Sequence, residues 1–420
     1  MSETPNGPAG PAGPGNPGTP PPAGDQGQGT TTQGGVPAGK KEAGRDRDLA
    51  SWLPTVVDSI AAVVLALVVG AVLIMFSTPR VVESLSYFFS YPWDFFKFSG
   101  EAIWDGYRAL ISGSVGSGTA WTRTLERAAP LICAGLGVSL AFRAGMFNIG
   151  AQGQILLGAL VGGFIGFHYD LPAGIHLLAA LAGALVAGGL WGAIAGVLKA
   201  RTGAHEVITT IMLNYVGRFT MLYFLGKEAL QRPDSDNLLS PPVDDSAAYP
   251  TIGGVHLGVL LAVVAALFVW WLLERSTLGF EMRAVGANPD AARTAGMSVA
   301  RVYVLAMTLA GVLAGLAATM TVLGRQDSLT DQVAGTVGFD AITVALLGRT
   351  TPLGTVLAGL LFGALSAGGL SMQGAAGVPP ELTQVLQALI VLFVAAPALV
   401  RGIFRLRGQG RKADVMATGW

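Results

Sequence analysis

Charge is scarce in this chain. Asp, Glu, Lys and Arg make up 12% of its 420 residues, against about 25% in a typical soluble domain. The 26 acidic and 26 basic side chains cancel, which removes the basic excess a nucleic-acid partner would need. The single cysteine, Cys133, excludes an intrachain disulfide, and four scattered histidines offer no metal cluster. No G-x-x-x-x-G-K-[ST] loop occurs, so the chain carries no recognisable site for ATP phosphates. No H-E-x-x-H pair or nucleophile–base set lies in its apolar stretches, which argues against an enzyme.

What is present is apolar: 51% hydrophobic residues, 59 glycines and a mean hydropathy of +0.55. These values predict an all-α polytopic membrane protein. Residues 1–48 differ in kind. The first 39 hold 11 Gly and 9 Pro, as in "PAGPAGPGNPGTPPPAG", and such a segment cannot bury enough apolar surface to offset its ordering entropy. It reads as a disordered tail, and not as a signal peptide, because the apolar run begins only after position 54 and continues too far. The membrane domain is expected over 49–404, followed by a basic tail at 405–420.

About 20 apolar residues cross a bilayer as a helix. "SIAAVVLALVVGAVLIMF" (59–76) is the cleanest span, and eight more are expected at 125–142, 151–168, 173–198, 206–226, 255–273, 302–323, 353–372 and 382–400. "FDAITVALLG" (339–348) is too short to cross alone and reads as a broken or tilted element. Lys40, Lys41, Arg45 and Arg47 precede the first span, while Arg401, Arg405, Arg407, Arg411 and Lys412 follow the last. By the positive-inside rule both termini are cytoplasmic, which requires an even count, and the nine spans plus the short one make ten. The acid-rich 227–254 loop and the aromatic stretch "YFFSYPWDFFKF" (87–98) then fall outside, the latter along the membrane face where Trp and Tyr settle. Small residues four apart, as in Gly158/Gly162, Gly192/Gly196, Gly311/Gly315 and Gly359/Gly363, predict closely packed helices.

Two polar patches interrupt the apolar runs. In "FRAGMFNIGAQGQILLGAL" (142–160), Arg143 stands at the inner end of one span, where a cation can snorkel to water. Asn148, Gln152 and Gln154 open the next span beside three glycines, an irregular backbone tolerated at membrane depth only when buried in protein or facing a wet cavity. These amides either line or gate a pathway, or hydrogen-bond neighbouring helices. In "HEVITTIMLNYVG" (205–217), Glu206, Thr210 and Asn214 recur every four residues and share one helical stripe, expected to face the bundle interior. Such a neutral, hydroxyl- and amide-bearing stripe suits passage of a polar uncharged solute. Glu206 has Arg201 or Arg218 as an expected ion-pair partner. Arg218, an arginine inside a span, is a functional residue or the partner of Asp340.

A third feature lies between spans. "NPDAARTAG" (288–296) reads as a short capped helix of about seven residues, roughly 10 Å long. Asn288 is the N-cap, Pro289 suits the first turn, Asp290 favours the positive end of the dipole and Gly296 supplies a left-handed stop. With Ala291, Ala292 and Ala295 exposed, the helix either fits a groove on another protein or simply joins two spans.

"RAVGANPDAARTAGM" resembles the ATPase-coupling segment of ABC importer permeases of the branched-chain amino acid, ribose and nucleoside class. "LAFRAGMFNIGAQGQILLGAL", "HEVITTIMLNYVG" and "GFDAITVALLGRTTPLG" are similar, in family order over about 122–400, to motifs of the nucleoside (purine) subgroup. The pattern departs at Gln152, where the family often has Glu, at His205, where it often has Asn, and at Arg218, where a neutral residue is usual. The resemblance implies a multi-pass subunit of the inner (plasma) membrane without a cofactor of its own, ATP and Mg²⁺ being bound by a partner ATPase. It also implies a second permease in a heterodimer, surrounding membrane lipid and an external substrate-binding lipoprotein. A monosaccharide or branched-chain amino acid permease is the alternative within the class. An ion-coupled secondary transporter is the alternative outside it, disfavoured by the few intramembrane acids.

Overall fold

The computed structural model describes residues 53–403 apart from 234, 236, 326, 327, 397, 398, 400 and 401. The tails expected at 1–48 and 405–420 lie outside the described residues. In chain order the helices are α1 (Leu53–Ser77), α2 (Pro79–Ser84), α3 (Pro92–Val115), α4 (Gly118–Arg143), α5 (Ala151–His168), α6 (Ile175–Thr202) and α7 (Glu206–Leu225). They continue with α8 (Gly258–Arg275), α9 (Thr277–Ala287), α10 (Pro289–Thr294), α11 (Val299–Val322), α12 (Val337–Leu347), α13 (Pro352–Ala376) and α14 (Pro380–Ala395). A two-residue hairpin, β1 (Thr251–Ile252) with β2 (Val255–His256), turns through Gly253 and Gly254, both at positive φ.

The ten expected crossings map onto α1, α4 to α8 and α11 to α14. Six of these (α4, α5, α6, α8, α11 and α13) are long and apolar enough to cross a membrane, and a bent α1–α2 pair raises the number to seven. The remainder fall short for visible reasons. In α7, Thr209, Thr210, Asn214 and Arg218 dilute the apolar run, while α12 has 11 residues and α14 has 16. The α1–α2 bend of 74° follows Thr78, which is extended, and Pro79, whose ring cannot continue a helix.

Three helices have no counterpart in the sequence reading: α2, α3 and α9. The 24-residue α3 absorbs part of the aromatic stretch 87–98. Asp94, Lys97, Glu101, Asp105 and Arg108 break any continuous apolar window in it, but Gly106, Ala109, Leu110 and Ser114 form a buried strip. There Ser114 Oγ donates to Ala364 O of α13 at 2.7 Å. Of the others, α2 is the six-residue piece after the bend, and α9 is capped by Ser276, whose Oγ accepts from Gly279 N–H at 2.9 Å.

The centre of the bundle is the contact of α6 with α11. A side chain at Gly188 would collide with the Gly311 carbonyl, and one at Gly311 with the Gly188 carbonyl. Backbones meet there because neither residue carries a Cβ, the geometry that drives helix association where no hydrophobic effect is available. All four small-residue pairs foreseen from spacing face a neighbouring helix; Gly158 meets Gly315, and Gly359 meets Ile132 of α4.

Candidate functional site

The segment from α4 to α5 explains the first polar patch. α4 ends in a Schellman turn: Met146 N–H donates to Ala141 O at 2.9 Å and Gly145 N–H to Phe142 O at 3.0 Å, with Gly145 at φ +74°. Met146, buried beside Ala141, supplies the apolar contact usual in this motif. Arg143 is half-exposed and also makes a contact inside the bundle. Its Nε donates to Thr350 O at 3.0 Å, on the turn between α12 and α13 where Arg349 and Thr350 both hold left-handed backbone. That conformation is costly for non-glycine residues, and the guanidinium is one of the contacts that hold it.

α5 begins at Gly150, which has no side chain to cap the first turn. Its free amide hydrogens are met from elsewhere. Gly153 N–H donates to Asn214 Oδ1 of α7 at 2.8 Å, and Asn214 Nδ2 donates to Ile149 O at 2.9 Å. Asn148 Oδ1 accepts from Gly150 N–H at 3.0 Å. Asn148 and Gln154 then pair amide to amide, Nδ2 to Oε1 at 3.1 Å and Nε2 to Oδ1 at 3.2 Å, with 1% and 2% of their surfaces exposed. Gln152 repeats the device on α12: its Oε1 accepts from Gly338 N–H at 3.0 Å and its Nε2 donates to Gly335 O at 2.8 Å. Two helix N-termini are thus capped in trans by amides of other helices.

The second patch lies on the same joint. Glu206, Thr210 and Asn214 are buried in one stripe that continues through Gly217, Met221 and Leu225. Ile208, Met212, Tyr215, Phe219 and Tyr223 are exposed on α7. Thr210 Oγ1 donates to Glu206 O at 2.7 Å. Glu206 pairs with neither Arg201 nor Arg218 but with Lys199, Oε2 to Nζ at 2.7 Å. The left-handed Gly203 between α6 and α7 folds the two helix ends together and selects this lysine. Arg218 likewise does not pair with Asp340. It binds Asp331 Oδ2, from Nη2 at 2.9 Å, on the loop ahead of α12. Asp340 accepts from Thr336 Oγ1 at 2.7 Å, a local bond at the start of its own helix.

The third feature forms as α10, six residues long. Asn288 Oδ1 accepts from Asp290 and Ala291 N–H, both at 3.0 Å, and Gly296 stands at φ +84°. Asp290 pairs with Arg293 at 2.9 Å. Ala292, expected to be exposed, is 4% exposed instead, because the closing turn from Met297 N–H to Ala292 O folds Met297 and the core over it. Asn288, Pro289, Asp290, Ala291 and Gly296 remain at the surface. Asn288 also ends α9, and two residues earlier Gly286 lies against Arg143 and Gly145, so closely that a Cβ would overlap the Arg143 carbonyl. The α9–α10 unit is therefore seated on the closing turn of α4, three residues ahead of Asn148.

Sequence reasoning missed a further region. A cavity of about 330 Å³ opens between α4, α11, α12, α13 and α14, within the range of about 300–1,000 Å³ typical of ligand pockets. Glu126, Arg127, Arg325, Asp340, Thr383 and Gln387 are among its polar lining. The available signal was the adjacent Glu126 and Arg127 just ahead of the apolar run of α4. No group of three or more potential metal ligands occurs among the described residues.

Residues 121–395 match the family described as "Branched-chain amino acid transport system / permease component". Among curated relatives, the chain is 41% identical over 321 residues to the guanosine ABC transporter permease protein NupP of Bacillus subtilis (strain 168), covering 74% of this chain and 91% of that protein. It is 37% identical over 332 residues to the glucose ABC transporter permease protein TsgB13 of Haloferax volcanii, covering 75% and 87%. With the nucleoside ABC transporter permease protein NupB of Lactococcus lactis subsp. cremoris (strain MG1363) the identity is 33% over 315 residues, covering 72% and 86%.

Proposed function

Because the chain belongs to the branched-chain amino acid transport system permease family, we propose that it conducts nucleosides through the plasma membrane as one permease subunit of an ATP-driven importer. The observation that carries this reading is the seating of Gly286, at the end of α9, on Arg143 and Gly145, because it puts a short exposed helix in mechanical contact with a buried polar joint. In this reading α10, from Asn288 and Pro289 through Asp290, Ala291 and Ala292 to Gly296, is the part a partner ATPase pushes. Asn148, Gln152, Gln154, Glu206, Thr210 and Asn214 form the inner gate. They gate by holding α4, α5, α7 and α12 together through the caps described, and release the pathway when those caps shift.

The remainder follows from the same reading. Ten crossings place both termini, the Gly/Pro-rich 1–48 and the basic 405–420, in the cytoplasm, and α7, α12 and α14 complete the count by packing within the bundle. The second permease, the ATPase with its ATP and Mg²⁺, and the external lipoprotein act around this subunit. Exposed Phe89 and Tyr91 ahead of α3 and Trp93 in its first turn suit the outer membrane face.

The glucose-permease relative favours a second reading, import of a monosaccharide. Proteoliposomes holding the complete complex, with ATP inside and the lipoprotein outside, separate the two. Labelled guanosine and uridine are expected to accumulate only with hydrolysable ATP, and unlabelled glucose is expected not to compete. Glucose accumulation without nucleoside uptake replaces the first reading by the second, and uptake driven by an ion gradient without ATP removes both.

A further inference from the structure

The cavity between α4, α11, α12, α13 and α14 touches the amide caps only at Gly335, whose carbonyl accepts from Gln152. Its chemistry is unusually two-sided. Glu126 and Asp340 oppose Arg127 and Arg325, so the charged lining sums to zero. Arg127 Nη1 donates to Ser366 Oγ at 3.1 Å, which fixes one guanidinium at the wall. Leu131, Met320 and Phe362 form an apolar wall. Thr383, which is 6% exposed, has a hydroxyl with no hydrogen-bond partner although it lines the space. A buried hydroxyl left unmade costs about 1–3 kcal/mol; this one packs toward Gly369, so a solute recovers that cost once the side chain turns into the space.

We infer that this cavity is a solute-binding chamber of the permease itself, taking one neutral solute of the nucleoside class. The inference rests on the proposed function and adds a site to it. A charge-balanced lining disfavours ions, because an ion loses hydration there without a net opposite charge to replace it. A lining with donors and acceptors on one side and an apolar wall on the other matches a flat base with polar edges and a hydroxylated ribose. A monosaccharide, polar over most of its surface, leaves the Leu131–Phe362 wall uncompensated.

The test uses the full complex in proteoliposomes. Cys133, the single native cysteine, is fully buried, so a cysteine introduced as Ser366→Cys or Gln387→Cys is the reactive thiol, and Ile252→Cys on the exposed hairpin is the control. A small cationic methanethiosulfonate is applied with and without guanosine delivered by the lipoprotein. Guanosine at about ten times its half-saturating concentration is expected to slow labelling at 366 and 387 by about tenfold, the factor set by site occupancy, and to leave 252 unaffected. Thr383→Val, which keeps the shape and removes the hydroxyl, is expected to raise the half-saturating guanosine concentration for uptake severalfold. If the wild-type complex imports guanosine while labelling at both positions proceeds equally with and without it, the chamber is refuted and the proposed function stands. If glucose is imported and protects in place of guanosine, the nucleoside assignment of both falls.

Discussion

Asn214 of α7 holds the first turn of α5: its Oδ1 takes the Gly153 N–H at 2.8 Å while its Nδ2 donates to Ile149 O at 2.9 Å. The two bonded groups belong to backbone that cannot turn elsewhere, since Gly150 offers no capping side chain. Interhelical hydrogen bonds in membranes average about 0.6 kcal/mol because lost partners are commonly replaced. Here replacement is blocked by burial, so the cost of a stranded amide, about 1–3 kcal/mol, applies. Asn214→Ala is expected to lower stability by that amount, and Asn214→Asp by no less, since the carboxylate keeps the Gly153 bond but buries a charge against the Ile149 carbonyl. Thermal unfolding in nanodiscs reads both, and a loss below the membrane average for Asn214→Ala contradicts the capping role.

Gln152 is expected to rank differently by substitution. Gln152→Glu keeps an acceptor for Gly338 N–H and adds negative charge near the N-terminus of α12, where it is favourable, but loses the bond to Gly335 O. Gln152→Leu loses both. Uptake at matched membrane abundance should fall in the order wild type, Gln152→Glu, Gln152→Leu, and equal loss in both variants shows that the cap on α12 does not matter.

Gly286 tests coupling. Any side chain there pushes α9 off the Arg143 carbonyl, and overpacking costs about 1–3 kcal/mol locally. Gly286→Ala is expected to lower solute moved per ATP hydrolysed. A variant that transports with wild-type stoichiometry places the transmission route elsewhere.

The Arg218–Asp331 pair should matter little for stability. The two side chains are 51% and 25% exposed, and exposed pairs contribute about 0–1 kcal/mol. A double-mutant cycle of Arg218→Ala and Asp331→Ala should give a coupling inside that range. An Arg218/Asp340 charge exchange should rescue nothing, because those residues are not bonded to each other.

Much of the architecture was legible because the information is local. Runs of about 20 apolar residues gave nine of the helices, the short 339–348 run gave α12, and the Asn288 to Gly296 signature gave α10 with its cap in the expected place. α3 and α9 were not legible, since charges interrupt each before an apolar window accumulates, and only packing against α13 or the α4 end shows their buried strips. Ala292 was misjudged for a related reason: exposure of a short helix depends on where its closing turn carries the chain.

The polar residues divide in the same way. Sequence spacing put Glu206, Thr210 and Asn214 on one stripe, because helix periodicity operates over four residues. It did not say what they touch. Asn214 caps a helix 61 residues away and Gln152 one 186 residues away, while Glu206 takes Lys199 over two arginines. In apolar surroundings an amide hydrogen must be satisfied by whichever side chain packing delivers, and delivery is a property of the assembled bundle. Residue type and period set which groups required partners; the close approach of distant helices selected them, and it also created the charge-balanced cavity that no single segment contains.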